Sequence, residues 1–292
     1  MAGSGWTTTS ALADSLDDVR SSARIVREFE GVIPQLVEKQ TLGEGIGLDW
    51  KEIKYDQLTA QAVTETTELD NPQQLADSVI TITPVVVAIE TFITDRVAAR
   101  ISKIGFSKIG TLGQNAIQRK KDEDGLLLFA SATTTSDPGA GVTLSSGYIA
   151  SAVANIRGNT TEPGHDPIRC VLHPFQIHDL FNELVAGVGT DVVMEGPTAR
   201  VFQQGFQLPV AGCEIYPDGN ITIDGGDDAK GGVFAMDGIV LVQGRAPRII
   251  SVRNEKRGGG GEHVYHYDEY AYGVRLSNWV YLMESDALAP TS

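Results

Sequence analysis

The sequence predicts an α+β fold with projecting extensions. Three observations carry the prediction. A short apolar strand lies between two amphipathic helices near the middle of the chain. A long helix precedes that unit. Two runs of alternating residues flank a polar tip that has too few large apolar side chains for a core of its own. The chain has 292 residues, 41% hydrophobic and 21% charged. That is enough apolar material for one large domain or two smaller ones, and too little charge for a disordered chain.

Met1 to Thr9 is small and polar and is expected to be mobile. A helix is expected from Ser10, a good cap residue. Leu12, Leu16, Val19, Ala23, Val26 and Phe29 recur at helical spacing and form one apolar stripe, and Gly31 and Pro34 end it. Such a stripe needs a surface to lie on, in its own domain or on a neighbour. Gly43, Gly45 and Gly47 form a joint. The alternating run from Asp49 to Asp56 follows, then a tip rich in Thr, Glu and Gln, then the alternating run Ser78–Thr83. This pattern predicts a two-stranded arm. Arms of ten to fifteen residues reach roughly 35–50 Å. A lone hairpin of that length is marginal in water, so the arm is expected to lie on another molecule.

Pro84–Ile89 is expected to be a short buried strand, followed by a long helix from Thr94 to Lys121. Ile93, Val97, Ile101, Ile104, Ile109, Leu112 and Ile117 mark its buried side, and Asp122-Glu123-Asp124-Gly125 is expected to end it as a solvated helix terminus. Thr133–Gly141 reads as a loop. A helix with Tyr148, Ile149, Val153 and Ile156 is expected next, then the buried strand Ile168–Leu172 and a helix with Ile177, Leu180, Phe181 and Leu184. Helix, strand and helix together suggest an α/β subdomain. Further strands are expected at Leu208–Gly212, Cys213–Tyr216 and Val233–Met236. Two long strand regions, Ile239–Asn254 and Glu262–Met283, close a mixed sheet against the long helix, joined by the loop Gly258–Gly261.

Composition narrows the function classes. The formal net charge is -15 and the pI about 4.7, so the surface repels nucleic acid unless a local patch overrides it. The strongest basic cluster, Arg253, Lys256 and Arg257, reads as a solvated loop tip. Cys170 and Cys213 belong to no metal or redox motif, and a reducing compartment fits them. No basic stretch with an apolar core opens the chain, so no signal peptide is expected. No apolar run is long enough to span a membrane as a helix.

Motifs for chemistry are weak. His263 and His266 lie three apart in a predicted strand and face opposite sides, against a shared metal with Glu262. His173 and His178 do not have the spacing of a helical zinc pair. All four histidines read as structural, with their hydrogen bonds satisfied. Asp224, Asp227 and Asp228 lack the spacing and closing Glu of a calcium loop. Neither a serine-nucleophile elbow nor a phosphate-binding glycine loop occurs. No catalytic residue, metal ligand or cofactor is therefore predicted. What stands out is a set of extensions that cannot satisfy themselves, which points to a multi-subunit lattice.

Val171-Leu172-His173-Pro174 before a helix, Gly205–Val210, and the ending Tyr272-Gly273-Val274-Arg275, Val280-Tyr281-Leu282, Ser285-Asp286-Ala287 are the local matches to a known pattern. With the order of parts, the chain resembles the Hong Kong 97-type major capsid proteins of tailed double-stranded DNA phages. The resemblance covers nearly the whole chain and rests on order and spacing more than on any one motif. It implies an N-terminal arm (1–48), an extended β-hairpin loop (49–84), and a peripheral domain with a long spine helix (85–145). An axial domain (146–238) and peripheral return strands (239–292) follow.

The resemblance further implies self-assembly into hexamers and pentamers of an icosahedral shell that encloses DNA without reading its sequence. A separate scaffolding protein, a portal and a decoration protein are the implied partners, with assembly in the host cytoplasm and no membrane. Subunit contacts are expected at Trp50, Lys51, Lys54, Tyr55, Leu69 and Leu75 on the arm, and at Arg253, Lys256, Arg257 and Glu262 on the loop. No covalent cross-link is predicted. The rival readings are an encapsulin-type nanocompartment with the same fold, a metal-dependent hydrolase using His173, His178, His263 or His266, and a tail-tube or adhesive protein.

Overall fold

A computed structural model describes residues 31–66, 72–100, 103–188, 209–256 and 259–290. The N-terminal helix expected from Ser10 lies outside these residues. The described chain begins with a single helical turn, α1 (Ile33–Leu36), with Pro34 in the first turn where its missing N–H costs nothing. A short strand, β1 (Glu38–Thr41), follows. The arm is next: β2 (Trp50–Tyr55) runs antiparallel to β3 (Asp77–Ile82), in register from Trp50 opposite Ile82 to Tyr55 opposite Asp77.

β4 (Val85–Thr94) corrects the expectation of a short buried strand at Pro84–Ile89. It is 10 residues long and mostly exposed or half-exposed. It forms one edge of its sheet; Phe92 and Ile93 at its end are buried, and Val87 packs half-buried against the core. The expected helix from Thr94 to Lys121 is also corrected. Thr94 caps a single turn, α2 (Asp95–Ala98), accepting the Val97 N–H at 3.4 Å. The long helix, α3, spans Lys103–Ala130, roughly 40 Å at 1.5 Å per residue. It runs through the acidic run instead of ending there. Arg119–Glu123 and Lys120–Asp124 pair one turn apart, Lys121 and Asp122 are buried, and Gly125 lets the helix pass against Ile33 and Tyr272.

The helix α4 (Ser146–Arg157) buries Ile149, Ala152, Val153 and Ile156. β5 (Ile168–Leu172) is buried as expected, and α5 (Pro174–Val188) starts immediately after His173. Gln176 reaches back to accept the His173 N–H at 3.0 Å and donates to Ser285 Oγ at 2.7 Å. That contact is one half of a capping box, tied to a second element. β6 (Glu214–Pro217) meets the strand expected at Cys213–Tyr216 one residue later, whereas the described residues of the strand expected at Leu208–Gly212 form none. Ala211 and Gly212 both have positive φ, 53° and 82°, so residues 210–213 turn.

β7 (Asp228–Ala235) and β8 (Ile239–Asn254) follow, joined by a 3-10 turn at Met236–Gly238. The expected strand Glu262–Met283 is two strands. β9 (Gly261–Val274) and β10 (Val280–Asp286) are separated by a 3-10 turn at Ser277–Trp279 and lie in different sheets.

The first sheet has the order β1-β8-β9-β4 and the second β10-β7-β5-β6. β7 is buried on both faces, so its alternation divides two cores. Phe234 packs on Phe129 of α3, ring centroids 5.4 Å apart, with Gly232 beneath the Phe129 ring. Val233 and Ala235 face a second core with Ile149, Val153, Ile156, Cys170, Leu172 and Leu180. The long helix thus bridges both sheets. Its Phe129 end sits in the core that also holds Ile33, Ile239, Leu241 and Val280.

Candidate assembly interfaces and the buried polar network

The arm is anchored at its root and bare at its tip. Trp50 and Ile80 pack with Ile82 on Val240 and Val242 of β8. Arg275 is the ionic clamp: it bonds Glu52 Oε2 at 2.8 Å and both oxygens of Glu38. The Arg275 hydrogen bond holds the Glu38 carboxyl below its usual range. Lys54 pairs with Glu162, and the Gln57 side chain donates to the Thr161 carbonyl. Lys51 and Tyr55 are exposed on β2. Beyond Asp56 no residue up to 66 or from 72 to 76 is in a helix or strand, and Leu58, Val63 and Leu75 are 61%, 52% and 66% exposed. Leu69 lies outside the described residues.

At the far end of β8, Arg253 bonds Asp95 Oδ2 at 2.7 Å and Glu255 Oε1 at 2.5 Å. Both acids hold its guanidinium charge more firmly. Lys256 is exposed, Glu262 is half-buried on β9 opposite Ile93, and Arg257 lies outside the described residues. The structure therefore places the predicted contact residues at two separate locations, the arm and the β8–β9 loop.

Sequence reasoning missed a buried polar network under α3. Lys121 Nζ bonds Asp268 Oδ2 at 3.1 Å and Gln243 Oε1 at 2.6 Å, and lies 4.7 Å from the Tyr270 ring centre. Tyr270 donates to Asp124 at 2.9 Å. Burial and that carboxylate push its hydroxyl well above the ordinary range. The residue next to Lys121, Asp122, accepts the Ile33 N–H at 3.0 Å and the Asn220 side chain at 2.9 Å, with the Asp218 carboxyl against it. Burial foremost, then Asp218, pushes Asp122 up to about 7. Asp218 in turn accepts the Val32 and Asn220 N–H groups. The signal was present in the run Arg119–Gly125. Charges of both signs at every position put some of them on the buried face of any helix that continues.

The histidines stand apart. His173 immediately precedes α5 and His178 lies on it, beside the second sheet, whereas His263 and His266 are on β9 of the first. His263 bonds Glu90 at 2.5 Å and Asn254 at 3.1 Å. It stacks in a row with Tyr265, and Tyr265 with Tyr267. The Phe175 N–H donates to His173 Nδ1, and burial lowers the pKa of that ring. His266 departs from the expectation of satisfied histidines: it is buried beneath Gly113, and neither ring nitrogen has a hydrogen-bond partner among the described residues. Among the described residues no three His, Cys, Asp or Glu side chains converge in an arrangement that fits a metal ion. Cys170 and Cys213 are buried free thiols, and burial pushes Cys170 up. Asp224 accepts the Gly226 and Asp228 N–H groups in a local turn.

No protein-family model matches the chain, and no curated protein matches its sequence. Solved structures do. The capsid structure of cyanophage P-SCSP1u superposes with a TM-score of 0.71 at 15% identity, over 97% of this chain and 96% of that one. The structure from Mycobacterium phage Che8 gives 0.71 at 14% identity, over 91% and 96%. The capsid of Ralstonia phage GP4 gives 0.69 at 13% identity, over 94% and 96%. The fold is that of the Hong Kong 97-type phage capsid proteins.

Proposed function

We propose that this chain is the major capsid protein of a tailed double-stranded DNA phage. It self-assembles as hexamers and pentamers of a closed icosahedral shell and acts as a structural subunit, with no catalytic role. The observation that carries the reading is the likeness to phage capsid structures over nearly the whole of both chains. The arm supports it: an extension held only at its root, with apolar side chains uncovered, gains its stabilising contacts on a neighbour.

In this reading residues 1–48 are the N-terminal arm and 49–84 the extended loop. Residues 85–145 and 239–292 build the peripheral domain around α3, with β10 returning into the sheet of the axial domain, 146–238. Trp50, Lys51, Lys54, Tyr55, Leu69 and Leu75 supply contacts from the arm, and Arg253, Lys256, Arg257 and Glu262 from the loop. Scaffolding, portal and decoration proteins are the partners, and assembly takes place in the host cytoplasm. The acidic surface suits a shell that retains DNA by closure rather than by binding it.

The test is size-exclusion chromatography with light scattering on the intact chain and on a variant with residues 57–75 replaced by Asn-Gly, each with and without scaffolding protein. The intact chain is expected in shell-sized particles. The deletion variant is expected as folded small species with an unchanged circular dichroism spectrum. Normal particles from the deletion variant would overturn the role of the arm.

A further inference from the structure

The first sheet has one incomplete edge. β1 pairs with β8 only from Val240 to Gln243, while β9 accompanies β8 as far as Asn254. Alternate residues of an antiparallel strand turn N–H and C=O away from the partner. Along Arg248–Asn254 those groups meet no backbone partner among the described residues. Ile249, Ile250 and Val252 on this stretch are 50%, 37% and 49% exposed. An exposed edge of this kind is a template for another strand. Pro247 and two register shifts between Gln243 and Arg248 protect the part nearer β1. The regular stretch beyond them has no such protection.

A groove of about 580 Å³ runs between this edge and the middle of α3, lined by Gln114, Asn115, Gln118, Ile249 and His266. His266 is 1% exposed, with both ring nitrogens unpaired among the described residues. Buried polar groups without partners are rare because they are costly. Here a polar group entering the groove would relieve the cost.

The chain carries a piece that fits. Leu58–Thr64 of the arm lies in no helix or strand, and the backbone of Ala60–Val63 has no partner among the described residues. From Asp56 to Asp95 the sequence has no Lys or Arg, while Asp56, Glu65, Glu68, Asp70 and Asp77 make the arm acidic. The edge carries Arg248, flanked by Arg245 and Lys256, while Arg253 at its end is already paired with Asp95 and Glu255. Within its own subunit the arm leans the other way, toward Thr161 and Glu162.

We propose that the β8 edge Arg248–Asn254 takes the segment Leu58–Thr64 from the arm of a second copy as an added strand. The side chains on one face of that strand enter the groove against α3. This rests on the shell reading, which says only that the arm lies on a neighbour; the inference names where and by which bonds.

The first test is hydrogen exchange on the unaltered chain, in shells and as unassembled subunits. Amides of both Arg248–Asn254 and Ala60–Val63 are expected to exchange at least about tenfold more slowly in shells. The second is disulfide trapping in shells of Ser251→Cys paired with Ala60→Cys, Ala62→Cys or Thr64→Cys. At least one pair is expected to give covalent chains of subunits without reductant. Shells that show neither joint protection nor a cross-link overturn the inference and leave the shell reading intact. Protection of the edge together with cross-linking of Ser251→Cys to Ser10→Cys, and to no arm position, overturns it in favour of the N-terminal segment. If the unaltered chain forms no shells even with scaffolding protein, the shell reading itself fails, and this inference with it.

Discussion

Asp122 is fully buried, yet it holds together the point where the N-terminal segment joins the core. Its oxygens take the Ile33 amide and the Asn220 side chain, and Asp218 lies against it while gripping Val32. Two carboxyls in contact inside a protein cannot both ionise cheaply, so one keeps its proton. The pKa of Asp122 rises from an ordinary 3.8 to about 7. The folded state therefore binds more protons than the unfolded chain between those values. Stability from this group is fully present below pH 4 and is lost as pH rises through about 7. Urea denaturation at pH 5 and pH 8 should show the intact protein weaker at pH 8. Asp122→Asn should shrink that difference, and an unchanged difference would place the proton elsewhere.

At the scale of elements, α3 bridges the two sheets and lies in one of the two cores. Phe129, fully buried, packs on Phe234 and over Gly232. Phe129→Ala is expected to cost about 3–5 kcal/mol by opening a cavity between helix and sheet. A denaturation midpoint that barely moves would mean that α3 is not the bridge. The elements that sequence reasoning identified well are those whose pattern is local. β5 alternates with nothing and is buried on both sides; α4 carries its apolar residues at helical spacing; β2 and β3 alternate. The errors have physical reasons. The acidic run was taken for a helix end because charge was equated with solvent, whereas Lys121 pairs with Asp268 across the sheet and Asp122 pairs with a backbone amide. β9 and β10 read in the sequence as one strand region because both are apolar and only five residues, Arg275–Trp279, separate them. Of the interfaces, the arm was legible from its polarity. The open edge of β8 was not, because it depends on where β1 stops pairing, which no local pattern encodes.

At the scale of the whole molecule, the unsatisfied groups among the described residues fall into two kinds. Arg169 Nε, the Tyr272 hydroxyl and both His266 ring nitrogens are buried without a hydrogen-bond partner among the described residues, while Leu58, Val63 and Leu75 of the arm and the β8 edge beyond Gln243 are exposed at the periphery. A formal charge of -15 keeps such a chain soluble and sets subunits against one another. In the proposed shell, assembly would depend on directed contacts between the acidic arm and basic positions such as Arg248 and Lys256, rather than on general stickiness. The same charge predicts assembly favoured by moderate salt, which screens the repulsion. The measurement that tests the central claim most directly is electron microscopy of the purified chain, alone and with the scaffolding protein proposed for it. Closed polyhedral shells, or rings of five and six subunits, are the predicted result. A population that stays monomeric or dimeric, or that forms only rods, would contradict it.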